Sequence, residues 1–296
     1  MSKSNILFII NPISGGKDKQ KIPALIDAHL DREQFNPNFA FTEYAGHAAE
    51  IAEEAANKNF DIIVAVGGDG TINEVASKVM QAQKVLGVLP FGSGNGLARF
   101  LKIPMNTVKA IQVINTGVVQ VIDTGTFNNK SFFNMAGMGF DARISSVFAG
   151  HKTRGLSGYA KLALKEATSY RAQTYHIYID GKEYVRRAFV ISLANSSQYG
   201  NNAHIAPTAS VTDGLLDVCI VNAFPLYKLP VLAYEMMMAK TDRSNIVEII
   251  KGKQIRIVRG MEDAIHIDGE PFFMGKEIEA GIIPLSLNII TPKYEA

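Results

Sequence analysis

Val64-Ala-Val-Gly-Gly-Asp-Gly-Thr-Ile-Asn-Glu-Val75 begins as a β-branched run, breaks into a Gly-Gly-Asp-Gly turn and resumes with helical spacing. A short apolar strand of this kind pairs inside a parallel sheet. The glycines Gly67, Gly68 and Gly70 let the chain take positive φ and bring backbone N–H groups close to a ligand. The following helix presents its N-terminal N–H groups and the positive end of its dipole at the same point, so a nucleotide phosphate chain is the expected occupant. Asp69 adds a condition. A carboxylate beside phosphates repels them unless a divalent cation lies between, so the turn predicts a metal–nucleotide complex. Thr71 is placed to cap the helix and to touch phosphate. A turn whose glycines serve geometry alone leaves the acid and the threonine without a role. The stretch lacks the Lys-Ser/Thr ending of the Walker loop and the Gly-x-Gly-x-x-Gly spacing of dinucleotide folds.

Outward from this turn, strand-like runs at Ile6–Ile10, Phe39–Thr42, Ile62–Val66 and Val85–Pro90 alternate with helical patterns such as Ala48–Lys58. That alternation predicts a doubly wound α/β domain over residues 1–124. Ligands of such sheets bind beyond the carboxyl ends of the strands, where Asn11–Lys17, Thr42, Gly67–Asn73 and Gly92–Gly96 all fall. After Asp123 the pattern changes to β-rich runs, including Tyr175–Ile179 and Ala188–Leu193, divided by turns at Asn128-Asn129, Asp180-Gly181, Asp213-Gly214 and Asp268-Gly269. Residues 125–296 therefore read as a β-sandwich-rich domain with two helical stretches, Gly158–Tyr170 and Leu226–Lys240. Leu285–Ile290 suits a closing strand of either domain.

The 296 residues, 47% hydrophobic and 20% charged, allow two proper cores. A net charge of +2 without Lys/Arg blocks argues against nucleic acid as a partner. The single cysteine, Cys219, rules out an internal disulfide and reads as a buried thiol of a cytoplasmic protein. Ile6–Ile10 is far too short to span a bilayer or to form a signal-peptide core, so contact with membrane is expected to be peripheral. A homodimer stays open.

Gly-Gly-Asp-Gly-Thr-Ile-Asn-Glu-Val resembles the nucleotide signature of the diacylglycerol kinase catalytic family, which includes bacterial soluble lipid kinases and, more distantly, sphingosine and ceramide kinases. NAD kinases and phosphofructokinases share the Gly-Gly-Asp-Gly-Thr core. Asn11-Pro-Ile-Ser-Gly-Gly-Lys17 matches the lipid kinases' Asn-Pro-x-Ser-Gly loop, and Thr42 with Gly46-His47-Ala48 matches a second element. His47, in the first turn of a helix, reads as a solvated or capping residue. Asn134-Met-Ala-Gly-Met-Gly-Phe-Asp141 is similar to a stretch of the same family, and Asp141 is expected to cap a helix. In Phe91-Gly-Ser-Gly-Asn-Gly-Leu97, Ser93 and Gly96 stand where bacterial diacylglycerol kinases usually have threonine and aspartate, a form closer to the sphingosine and ceramide kinase branch. The acceptor lipid is thereby left open.

The resemblance implies ATP as co-substrate, held by Asn11, Thr42, Gly67, Gly68, Asp69, Gly70, Thr71, Ile72, Asn73 and Ser93. Asp69 would position Mg2+ or its water shell. It also implies a structural Mg2+ on Asp213 with the backbone carbonyls of Ser210 and Leu215, an oxygen shell that suits a hard cation. In Ile265-His-Ile-Asp-Gly-Glu-Pro271 it assigns the general base to Glu270, with Asp268 as helper or turn residue. Transfer to a hydroxyl needs such a group to accept the proton. Leu226–Lys240 is more apolar than a surface helix needs, and core packing is its default reading; a methionine-rich surface can also adapt to acyl chains. Lys152, Arg154, Lys161, Lys165 and Arg171 offer a dispersed positive charge to anionic headgroups. The expectation is an ATP-dependent lipid kinase acting on diacylglycerol or a related lipid at the inner face of the membrane. The rivals are an NAD kinase and a catalytically inactive nucleotide- or lipid-binding regulator.

Overall fold

The computed structural model describes residues 3–16, 19–149 and 165–293. The chain divides into two units: one runs to Ile122 and takes back the chain from Leu285, and the other is Asp123–Pro284.

In the first unit, β1 (Ser4–Ile10), β2 (Phe35–Phe41), β3 (Ile62–Gly67) and β4 (Val85–Pro90) form a parallel sheet in the order β4-β3-β1-β2. β1, β3 and β4 are buried almost throughout, as their unbroken apolar runs require. β2 starts earlier than its sequence indicates and contains Pro37, which an edge strand tolerates because one side of it makes no ladder. The connecting helices are α1 (Ile22–His29), α2 (His47–Ala56), α3 (Asp69–Gln81), the short α4 (Gly96–Phe100) and α5 (Thr107–Thr116). Right-handed crossovers put α1 on one face and α2 with α3 on the other; α5 packs on α1. The sheet is thus doubly wound. From the parallel neighbours β1 and β3 the chain crosses to opposite sides of the sheet, to β2 and to β4, so the loops after them lie at the topological switch point.

β5 (Val118–Phe127) carries the chain from the first unit into the second, where β6 (Lys130–Phe132), β7 (Met135–Gly139) and α6 (Phe140–Ala149) follow. β8 (Gln173–Ile179) pairs with the first half of β9 (Lys182–Ala194), whose second half lies between β7 and β10 (Leu216–Asn222). β11 (Val247–Gly252) flanks β10, and β12 (Gln254–Arg259) flanks β8. β13 (Asp263–Ile267) and β14 (Glu270–Met274) form a hairpin against β7. Phe127, Phe132, Ile177, Ile191, Leu216 and Ile257 sit in the sandwich core. A second apolar cluster holds Phe140, Ile144, Phe189 and Cys219 together with Leu232 of α7 (Leu229–Met237). Burial pushes the Cys219 thiol up, which fits an inert core residue.

The last strand, β15 (Glu277–Thr291), settles which domain the closing run belongs to. Its beginning pairs antiparallel with β12, and Asn288 and Ile289 pair in parallel with Val85 and Leu86. The stretch read as a helix from Gly158 lies largely outside the described residues; 165–169 are helical.

Candidate active site

Three loops meet beyond the carboxyl ends of β1, β3 and β4. Phe91 N donates to Gly67 O at 2.7 Å, and Asn11 N donates to Val66 O at 3.0 Å. Asn11 Nδ2 donates to Thr71 Oγ1 at 3.0 Å, while its Oδ1 accepts from Ile13 N. The approach is too close for side chains. A Cβ on Gly67 would come within 2.5 Å of the Thr71 side chain, and one on Gly92 within 2.7 Å of Gly68 Cα. Gly15, at φ +61°, would drive a Cβ into the Phe91 carbonyl. These contacts explain why the glycines stand where they do and leave backbone to line the cradle.

At the start of α3 the helical ladder begins with Ile72 N donating to Gly68 O at 2.9 Å. The N–H groups before it lie outside that ladder and face the loop cluster with the positive end of the dipole. Thr71 is buried and tied to Asn11, so it holds the loops together. Ile72 places its N–H in the helix and its side chain in the core, and has no group to offer a nucleotide. Thr42 is buried, with its N–H on Ile10 O, and Glu74 of α3 accepts from Gly46 N at 3.1 Å. Asn73 lies half-buried in the first turns of α3, and Ser93 is exposed at the tip of the third loop. His47 accepts from Glu43 N through Nδ1 and stacks on Tyr44, the local role its position implies.

Asp69 behaves differently from its sequence reading. Its Oδ2 accepts from Asn95 N at 2.8 Å and its Oδ1 from Gly96 N at 3.0 Å, so the carboxylate braces the N-terminus of α4. Only a carboxylate turned toward the phosphates would call for a cation between them. Here its charge is already met by two N–H donors.

Two residues of the cradle escaped the sequence reading. Asn95, buried at φ +52°, accepts from Gly92 N at 2.9 Å and donates to Gly92 O at 2.8 Å, stapling the third loop. A Gly-Asn-Gly segment is a signal for that left-handed position. Lys19 is fully buried, donates to Ser14 O and lies over the Phe91 ring at 5.3 Å. It brings a positive charge into the loop cluster, and nothing in its sequence surroundings marks it.

In the second unit the turn Asp268-Gly269 takes φ +46° and +87°, the pattern of a two-residue hairpin loop. Asp268 is buried and accepts three backbone N–H groups, from Phe133 at 3.0 Å, Asn134 at 2.9 Å and Met135 at 3.0 Å. It is a brace. Glu270, the first residue of β14, is exposed. Nearby in the fold, Asp141 does more than cap α6: its Oδ2 accepts from Tyr199 and His266 at 3.0 Å and from Ser192 at 3.2 Å. A Cβ on Gly137 would strike both Asp141 and His266, which accounts for the glycine in that motif.

Asp213 does not present an open oxygen shell. Its Oδ1 accepts from Leu215 N at 3.1 Å, and its Oδ2 pairs with Lys251 Nζ at 2.7 Å. Lys251 also lies 3.5 Å from Asp217, whose carboxyl burial holds above the usual carboxylate range. Among the described residues no three His, Cys, Asp or Glu side chains cluster to hold a metal ion. A divalent ion on Asp213, Ser210 and Leu215 would meet the Lys251 ammonium, so these residues do not fit one as they stand.

Residues 5–127 match the family described as diacylglycerol kinase catalytic domain, and residues 134–291 match the YegS C-terminal NAD kinase beta sandwich-like domain. The chain is similar to the diacylglycerol kinase of Bacillus subtilis (strain 168), 30% identical over 100% of this chain and 98% of the relative. It is 31% identical to a Yersinia enterocolitica protein named "Probable lipid kinase YegS-like", over 83% of this chain and 84% of the relative. A crystal structure of a diacylglycerol kinase from Bacillus anthracis (strain Sterne) shares the fold, with a TM-score of 0.76 and 20% identity over 98% of both chains. With the glycine cradle and both domain matches in hand, the chain belongs to the diacylglycerol kinase catalytic-domain family and is a lipid kinase, a phosphotransferase with an alcohol acceptor.

Proposed function

We propose that the protein transfers the γ-phosphoryl group of ATP to the hydroxyl of diacylglycerol or a closely related membrane lipid. The observation that carries the nucleotide half is the cradle: glycine loops 11–16, 67–71 and 91–96 abut through backbone at the switch point, with the start of α3 and the buried Lys19 adding positive potential. Gly67, Gly68, Gly70 and Asn73 line it, Ser93 adds a hydroxyl at its rim, and Asn11 and Asp69 keep its loops in register. Mg2+ would enter with the phosphates, as it does when held by one or two protein groups and substrate oxygens, and would neutralise their charge.

For the acceptor half, Glu270 is the base. The lipid oxygen forms a bond to the γ-phosphorus, the bond to the β-phosphate oxygen breaks, ADP leaves, and the hydroxyl proton passes to the Glu270 carboxylate. Asp268 fixes the turn that carries Glu270 and is not available for that proton, since three N–H groups already surround it. Gly96 gives its N–H to Asp69 and contributes no carboxylate, so acceptor choice rests on other groups. The protein works in the cytoplasm, at the inner face of the membrane.

Incubation with γ-labelled ATP, a total membrane-lipid extract and NAD tests the reading. Label in one new phospholipid, identified by mass, is expected. Label in NADP would make the protein an NAD kinase, and no labelled product would make it a regulator.

A further inference from the structure

The segment 226–238 breaks the rule for a surface helix. On α7 the outward stripe is Pro230, Val231, Ala233, Tyr234, Met237 and Met238, spaced i, i+1, i+3, i+4, i+7 and i+8, and every one is exposed and uncharged. Tyr227, in the turn before it, is 76% exposed; Met237 is 62% and Tyr234 56%. The inward side carries Leu229, Leu232 and Met236, which pack on the second apolar cluster, and also Glu235, whose Oε2 is buried without a hydrogen-bond partner. The helix is therefore inverted relative to a solvated one, with its single charge turned in and its apolar residues turned out. A helix apolar on both faces is normally covered on both. It is also held firmly: His204 N donates to Met236 O at 2.9 Å, and Thr241 Oγ1 donates to Ile205 O at 3.1 Å.

We infer that this outward face is the membrane-docking surface, lying in the headgroup region of an anionic leaflet. The inference rests on the lipid kinase reading: an acceptor whose acyl chains stay in the bilayer must be met there, and no helix among the described residues is long and apolar enough to cross a membrane. The side chains fit that occupant. Tyr227 and Tyr234 join an apolar ring to a hydroxyl that favours the headgroup level, and the methionines adapt to irregular acyl packing. Lys228, Lys240 and Arg243 flank the stripe; the exposed acid beside them, Asp242, sits 4.0 Å from Arg243. Such a basic rim is attracted by an anionic leaflet.

The test is flotation of the whole protein, without ATP, on vesicles of phosphatidylcholine alone and of phosphatidylcholine mixed with phosphatidylglycerol. The wild type should float with the mixed vesicles more than with the neutral ones. Val231→Asp with Met237→Asp should weaken partitioning at least about tenfold, since each apolar side chain withdrawn from lipid is worth more than a tenfold change. Tyr227→Ser with Tyr234→Ser gives a second, milder variant, and the thermal unfolding midpoint of each shows that it folds. Wild-type protein that stays with the aqueous phase, or variants that float as it does, would overturn the inference. So would a dimer that the aspartates convert to monomer, because a second copy would then own the face. Wild-type protein that floats, variants that do not, and no phospholipid product would instead leave the docking face standing and sink the kinase reading.

Discussion

Two acidic turns, Gly68-Asp69-Gly70 in the first unit and Asp268-Gly269-Glu270 in the second, look alike in sequence and divide their labour differently. Each aspartate turns its carboxylate onto backbone N–H groups of another segment: Asp69 onto Asn95 and Gly96, Asp268 onto Phe133, Asn134 and Met135. Around Asp69, the groups left to meet a ligand are backbone, and the acid shapes the cradle. Beside Asp268 a second acid, Glu270, stands exposed at the start of a strand. An acid next to a glycine is thus no mark of chemistry until its oxygens are traced. The exposed acid is the one whose neighbour holds the turn.

Breaking the braces should show this difference as stability. Asp268→Ala strips three backbone N–H donors of their acceptor at a buried position and should cost about 3–5 kcal/mol in denaturant unfolding, because each abandoned buried donor loses its desolvation compensation. Asp69→Ala strips two N–H donors of their acceptor at a half-buried position and should cost roughly 2 kcal/mol, with a clear rise in the KM for ATP as the third loop moves. If Asp69→Ala left ATP binding intact, the cradle would not depend on its brace. The smallest effect is expected at Asp217. Burial raises its carboxyl despite the Lys251 ammonium, so its folded state favours the protonated form. Its contribution to stability is therefore best below the unfolded value of about 4 and declines as pH climbs through the raised folded value. The melting temperature of Asp217→Asn minus that of the wild type should grow as pH is taken upward from about 4. A flat difference would place the burial cost elsewhere.

The fold was legible where pattern is local. Unbroken apolar runs ending in glycine or polar loops announced β1, β3 and β4, and the change of rhythm after Asp123 announced the sandwich. The cradle loops were readable for the same reason. What stayed hidden depends on long-range partners: Asp69 meets Asn95 across 26 positions, Asp268 meets Phe133 across 135, and Lys251 reaches back to Asp213 across 38. No window of sequence contains both ends of such a bond. Helix α7 failed differently. Its composition said core, and its inner face is core, but only burial along the helix shows that the remaining apolar residues face outward.

The central claim, that Glu270 takes the acceptor proton while Asp268 and Asp69 hold backbone, is tested most directly by the turnover of Glu270→Gln with labelled ATP and the phosphorylated lipid identified from the extract. The account predicts a protein with the wild-type melting temperature and ATP affinity whose kcat falls by roughly 10²–10⁴. Normal turnover by Glu270→Gln would contradict it.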